Sequence, residues 1–418
     1  MTSQFLGPFE GSGLNFMNFS GKNLTERYSA FNHWGTLREE QNLWPFGMEN
    51  DNRRPLNFGT QDYLGFSTNQ KVIDSLRKFI LENNIIHSAG SPTLTGRTVW
   101  TAELEEKIAK LLQQNTALIF STGWMACFGA ITGLANGKDT IVIDALAHNC
   151  MQVAAKFVTP GIFKFNHNDM VHLDAVLERC RQIDDKNGLF IVTETLYSMN
   201  SDSPDLRRLM ELAHKYEAVV IIDTAHDLGV TGKIGLGLLE TIDLQYSKNL
   251  IICGAFSKAF GTNGGFVAGP SEIRRQMTIM APTYMFSTGA SPLQCHIASK
   301  SLDLIFSEEG DTLRKRLNEL VLFTVNKFRE NGFTINGEPS QIVPVLIGHE
   351  RPARMIFKKI FERGLLLNLI EFPAVPKSKA IFRFQLMASH KEQDIELAIE
   401  MLKTARQEVE QEMIDLID

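Results

Sequence analysis

Seven short apolar runs, separated by helix-length segments, constrain this 418-residue chain more than any other feature of it. They span 117–121, 140–144, 162–165, 189–193, 219–223, 250–254 and 265–268. Runs that are apolar throughout, instead of alternating, belong to strands buried on both faces. Strands alternating with helices build a mostly parallel sheet with helices covering it. Leu104, Ile108, Leu111 and Leu112 fall at i, i+4, i+7 and i+8, an amphipathic helix leading into the first run. The expected fold class is therefore α/β, with a mostly parallel central sheet. In such a sheet ligands bind beyond the carboxyl ends of the strands, so polar residues should follow each run.

Outside this core the pattern changes twice. Residues 1–55 are rich in Gly, Asn and aromatics (Phe5, Phe9, Phe16, Phe19, Phe31, Trp34, Trp44, Phe46) and read as an arm that packs on a second subunit or on the chain's own core. Residues 56–295 hold the sheet. Residues 296–418 read as a smaller α+β domain, with strands at 341–347 and 380–387. A final helix there carries Ile395, Ile399, Leu402, Val409, Met413 and Leu416 on one face. A net charge of −6 argues against a phosphate-neutralising nucleic-acid binder. No run of about 18 apolar residues exists to span a bilayer. Met1-Thr2-Ser3-Gln4-Phe5 shows no export leader, so a cytoplasmic location is expected, with peripheral membrane contact left open. The five cysteines (Cys127, Cys150, Cys180, Cys253, Cys295) include no Cys-x-x-Cys pair and read as reduced, packed thiols, with no metal expected.

Polar residues do follow the runs. Ser121-Thr122-Gly123 follows the first; Asp144 and His148 follow the second; Glu194 and Ser198 follow the fourth; Asp223 and His226 the fifth; Ser257-Lys258 the sixth. A carboxylate (Asp223) at one strand end and an amine (Lys258) at another suit pyridoxal 5′-phosphate (PLP). There a lysine binds the aldehyde and a carboxylate keeps the pyridine nitrogen protonated. A strand-end salt bridge is the competing reading. Gly123 and Trp124 open a strand-to-helix turn whose N–H groups could cradle a phosphate. Arg383, a charge inside an apolar strand, needs an anion, either a substrate carboxylate or an internal partner.

The stretch Asp223-Thr224-Ala225-His226-Asp227-Leu228-Gly229-Val230, with Gly232-Lys233-Ile234-Gly235 and Phe256-Ser257-Lys258, resembles the α-oxoamine synthases. These are PLP enzymes of the aspartate-aminotransferase fold; they include 8-amino-7-oxononanoate synthase, serine palmitoyltransferase, 2-amino-3-ketobutyrate CoA ligase and 5-aminolevulinate synthase. The similarity runs from Phe58-Gly59-Thr60-Gln61-Asp62-Tyr63-Leu64-Gly65, through Thr193-Glu194-Thr195-Leu196-Tyr197-Ser198-Met199, to Ala388-Ser389-His390. It implies Lys258 as the Schiff-base lysine, Asp223 as the pyridinium partner, His148 as the ring-stacking histidine and His226 as the contact to ring hydroxyl and substrate. It also implies Glu194, Ser198, Gly123 and Trp124 around the cofactor, and Arg383 for the amino-acid carboxylate. Ser287-Thr288 resembles the segment reaching a neighbouring subunit's phosphate, which implies a homodimer with shared sites.

The implied reaction is a decarboxylative Claisen condensation of a small amino acid with an acyl thioester, from CoA or an acyl-carrier protein. The same fold also supports aminotransferases and aldol-type lyases, and some synthases contain a non-catalytic partner chain. Three positions depart from the family pattern. Ala255 stands where threonine is usual, with Ser257 as the substitute hydroxyl. Gly90-Ser91-Pro92 lacks the usual arginine, so Arg97 is expected to replace that charge at the substrate, with Ser91 beside it. A charged side group on the amino acid, such as a sulfonate, would fit that arginine. Asp227 stands where small residues are common, and all three are expected near the substrate.

Overall fold

The computed structural model describes residues 22–27, 29, 35, 36, 39, 56–244, 249–372 and 374–415. Most of the aromatic stretch 1–55, and Leu416, lie outside them. The chain divides into two compact units: Gln61–Ser198 with Asp202–Leu317, and a smaller one of Met199–Ser201, Asn318–Asp418 and the described residues up to Thr60.

The larger unit is built on seven strands: β1 (Thr116–Phe120), β2 (Thr140–Asp144), β3 (Ile162–Phe165), β4 (Leu189–Glu194), β5 (Val219–Asp223), β6 (Leu250–Ala255) and β7 (Gly265–Gly269). All seven apolar runs are strands. Their order is β1-β7-β6-β5-β4-β2-β3. β7 runs antiparallel to both β1 and β6, while β6, β5, β4, β2 and β3 are parallel neighbours. The carboxyl ends of β1, β2, β4, β5 and β6 therefore share one edge, and the start of β7 joins them there. On one face Leu118, Ile143, Val192, Ile221, Cys253 and Val267 pack against helices α1 (Gly123–Leu134) and α2 (Asn149–Val158). The alternate residues Ile119, Val142, Ile191, Val220, Ile222 and Ile252 are also buried, so both faces are covered and the apolar runs need no polar face.

The change of character after residue 295 does not mark the change of unit. Helix α3 (Pro292–Ile305), opened by a Ser291/Gln294 capping box, packs on Val99–Leu111 and Gln70–Asn83 of the larger unit. The division falls inside the following helix, Glu308–Glu330, after Leu317. The smaller unit carries an antiparallel sheet: Thr334–Ile335, Ile342–Gly348, Ala380–Gln385 and Asn368–Ile370, with the last strand at one edge. Its final helix, Glu392–Asp415, buries Ile395, Ile399, Leu402 and Val409, while Met413 is only half-buried.

Asp144, at the end of β2, is fully buried and serves the scaffold. His167 Nδ1 lies 2.9 Å from its Oδ1, and His167 Nε2 lies 3.0 Å from Asp202 Oδ2. Burial pulls the imidazole pKa down, but the two carboxylates outweigh it and raise it to about 9. A raised folded-state pKa gives stability that is complete below the ordinary value of 6.5 and lost as pH rises through about 9. Thermal melts between pH 6.5 and 9.5 should therefore fall more steeply in the native chain than in His167→Asn; parallel curves would refute the ion-pair role.

Candidate active site

The shared strand edge surrounds a cavity of about 240 Å³, entirely within the larger unit. Gly123, Trp124, His148, Glu194, Asp223, His226, Ser257 and Lys258 line it, together with Thr122, Cys150, Ala225, Ala255, Asn263 and Gly264.

At one end, the loop after β1 turns into α1. Thr122 caps that helix by accepting the Met125 N–H at 3.1 Å, and the remaining first-turn N–H groups have no partner one turn earlier. Such a helix start favours an anion. The turn must be glycine: a Cβ on Gly123 would stand 2.5 Å from the Ala255 Cβ, and one on Gly265 would stand 2.6 Å from the Gly123 Cα. Three short residues thus let β6, β7 and the helix start converge. Ser121 Oγ donates to the Thr288 carbonyl at 2.7 Å, which fixes the exposed Thr288 beside this turn but outside the cavity lining.

At the other end, Asp223 Oδ1 accepts the Ala225 N–H at 2.9 Å and Oδ2 accepts the Cys127 thiol at 3.3 Å. Glu194 sits level with Asp223 on the neighbouring strand and accepts the His148 N–H at 2.6 Å. Burial, reinforced by the Asp223 charge, pushes the Glu194 pKa well above the carboxylate range. Two carboxylates therefore stand level on neighbouring strands, at the ends of β4 and β5. His148 caps α2, its Nδ1 lying 3.3 Å from the Cys150 N–H. The fully buried Tyr63 hydroxyl lies 2.8 Å from His226 Nδ1 and so fixes the ring that lines the cavity. Tyr63 has no assigned role in the sequence reading, although it stands in the Asp62-Tyr63-Leu64-Gly65 stretch of the family resemblance. Lys258 follows β6 in a turn closed by Phe256 N–H to Gly264 O at 3.0 Å and Thr262 N–H to Phe256 O at 3.1 Å.

Several expected residues stand elsewhere. Arg97 does not line the cavity. Its Nη2 pairs with the buried Glu105 at 2.7 Å, a carboxylate that Arg274 Nη2 also reaches at 2.9 Å, so its charge is taken up within the scaffold. Ser91 does not line it either; its hydroxyl donates to the Met285 carbonyl at 2.6 Å and ties two loops together. Asp227 is buried, accepting from Thr195 Oγ1 at 2.5 Å and the Leu238 N–H at 2.8 Å. Burial lifts its pKa to about 7 despite both bonds, and it is a loop-bracing group instead of a substrate contact. Ser198 lies outside the lining. Arg383 is in the smaller unit, where the side-chain oxygen of Gln385, in the amide orientation that suits its surroundings, accepts from Arg383 Nε at 2.7 Å and Nη2 at 3.2 Å.

One primary amine, a carboxylate held by two donors, an imidazole wall and a glycine-opened helix start fit PLP, with Lys258, Asp223, His148 and Gly123–Trp124 as its holders. The comparisons with known proteins agree. Residues 53–402 match the model of aminotransferase class I and II. The chain is 31% identical to an 8-amino-7-oxononanoate synthase of Herminiimonas arsenicoxydans, covering 92% of this chain and 99% of that one. It is 30% identical to a serine palmitoyltransferase of Bacteroides thetaiotaomicron, covering 91% and 95%. A Sphingomonas wittichii serine palmitoyltransferase structure shares the fold with a TM-score of 0.85 at 24% identity, over 93% of this chain and 99% of that one. The chain belongs to the aminotransferase class I and II family and, within it, to the α-oxoamine synthases, PLP-dependent acyltransferases.

Proposed function

We propose that this chain condenses a small amino acid with an acyl thioester, releasing the thiol and carbon dioxide and giving a 2-amino ketone. The observation that carries the reading is the convergence of Lys258, Asp223, His148 and His226 on one cavity in a chain of this family. Bound PLP supplies an electron sink for the amino acid's α-carbon. The chain's own groups do the rest. Asp223 would hold the ring nitrogen, and the first-turn N–H groups at Gly123 and Trp124 would hold the phosphate. His148 would wall the ring face. Lys258 Nζ would anchor the cofactor, and its amine is the group placed to take the α-proton as general base. His226, oriented by Tyr63, offers its Nε2 to the thioester oxygen. Arg383, steadied by Gln385, keeps the carboxylate role that the family resemblance gives it.

The working form we infer is a homodimer. Ile86, Leu94, Val99 and Phe286 are 64–82% exposed. Segments 88–91 and 285–289 are laced together by Gly289 N–H to Gly90 O and by Ser88 and Ser91 hydroxyls. Large apolar side chains on such a laced surface, adjoining the turn at Ser121, suit a second copy. Five free, buried cysteines suit a reducing cytoplasm. No described helix is long and apolar enough to cross a membrane.

The test offers the PLP-loaded chain serine, glycine, alanine or cysteate with acyl-CoAs of graded length, measuring free thiol and keto acid together. Thiol release with one amino acid favoured about tenfold or more is expected, a preference worth roughly 1.4 kcal/mol. Keto acid without thiol would instead mark an aminotransferase, and a chain that neither binds PLP nor turns over would be a non-catalytic partner.

A further inference from the structure

Against the cavity, with Cys150 in its lining, lies a cluster of thiols that the reaction above does not use. Cys127 on α1, Cys150 on α2 and Cys253 on β6 are each at most 2% exposed. Cys127 Sγ donates to Asp223 Oδ2 at 3.3 Å, and Cys150 Sγ lies 2.9 Å from His148 Nδ1. The Cys150 N–H also points to that Nδ1, which marks it as an acceptor with the ring proton on Nε2. The two sulfurs and the Asp223 carboxylate lie within 4.8 Å of one another.

We propose that Cys127 and Cys150 are positioning residues for the cofactor site: Cys127 fixes the Asp223 carboxylate, Cys150 fixes the His148 ring, and their contact holds the nitrogen-side and face-side groups in register. The proposal rests on the PLP reading of the cavity.

Asp223 has one backbone donor, the Ala225 N–H on Oδ1. With that bond alone the carboxylate can rotate about it; the second donor, on Oδ2, fixes its plane. Among the described residues, the side-chain donor to Oδ2 is a thiol carried by the helix that also opens the phosphate turn. A single helix, Gly123–Leu134, thus sets both the anion-binding N–H groups and the carboxylate at the opposite end. The groups facing the cluster are Asp223, Glu194, His148, Lys258 and Cys253. Contact with Cys150 pulls the Cys127 pKa down, but Cys253 and burial push it up further. Contact with Cys127, then burial, raises Cys150. Both stay protonated donors at neutral pH, which argues against a nucleophilic or redox-sensing thiolate, and against a metal site, whose sulfur ligands must be deprotonated.

The experiment compares Cys127→Ala with Cys127→Ser, Cys127→Val with Cys127→Thr, and Cys150→Ala alone and combined with Cys127→Ala. Each pair differs in a hydroxyl donor, and Val and Thr match in shape. The full-length chain is stripped of PLP and retitrated, reading cofactor affinity, the pH midpoint of the bound-cofactor absorbance, and Tm. Loss of the donor should weaken PLP binding about 5–10-fold and move the midpoint, while Ser and Thr stay within about twofold of native. The double variant should lose less than the product of the single losses, because the thiols share one contact. Affinities and midpoints that stay native while Tm falls alike in donor and non-donor variants would reduce the cysteines to space-filling and overturn the proposal. Borohydride labelling separates this from failure of the reaction class. A native chain unlabelled at Lys258 sinks the PLP reading itself, whereas a labelled chain with unmoved variants sinks only the thiol proposal.

Discussion

Replacing Lys258 with alanine should lower kcat by about 10⁴-fold or more, remove the bound-cofactor absorbance near the visible edge, and leave the chain unlabelled after borohydride. The size of the effect follows from the lining of the cavity. Lys258 supplies its one primary amine, so neither the covalent anchor nor the α-proton base has a substitute there. The fold should survive. The turn that presents Lys258 is closed through backbone groups, Phe256 N–H to Gly264 O and Gly261 N–H to Lys258 O. It is pinned by the buried Phe256 ring against Phe260 and Phe266 at 5.2 and 5.6 Å. None of these contacts uses the lysine side chain, so Tm should stay within a few degrees of native, consistent with about 0.5 kcal/mol for a change away from the core. Undiminished thiol release, or a borohydride label on another lysine, would remove Lys258 from its role.

The sheet was legible because a strand buried on both faces has to be apolar throughout. Thr140–Asp144 and Val219–Asp223 match the runs 140–144 and 219–223 residue for residue, as does the edge strand Ile162–Phe165, although its Lys164 is exposed. Thr334–Ile335 and Asn368–Ile370 were not legible, because two or three residues of mixed exposure carry no period. Asp223 and Lys258 could be found from position alone, each being the polar residue that ends or follows an apolar strand on the shared edge. What spacing cannot show is a bond across the fold. Tyr63 and His226 are 163 positions apart, and a cysteine that orients a carboxylate reads like one that only packs. The pairing of Arg97 was hidden for a related reason. Its partner, Glu105, sits between Leu104 and Ile108 on the buried face of the helix Val99–Leu111. A carboxylate on an apolar face asks for a cation, and Arg97 and Arg274 supply it.

Asp223→Asn separates cofactor binding from cofactor activation, since it keeps the size of the side chain and removes the charge. Two donors converge on the native carboxylate, the Ala225 N–H on one oxygen and the Cys127 thiol on the other. An amide has one oxygen, so one donor would face an NH₂ group, and PLP affinity should fall about tenfold from that loss. The larger effect comes from the missing charge at the ring-nitrogen end. Turnover should fall by about 10³-fold, roughly 4 kcal/mol of transition-state stabilisation, as when a preorganised electrostatic partner is removed elsewhere. Glu194 does not compensate in place. Loss of the Asp223 charge removes one cause of its raised pKa, but burial, the larger cause, remains and still pushes it upward. The variant should therefore still take a borohydride label at Lys258 while failing to turn over, a combination that Lys258→Ala cannot give. A kcat within about tenfold of native would mean that the pyridine nitrogen is served by another group, because a charge worth so little could not be driving the electron sink.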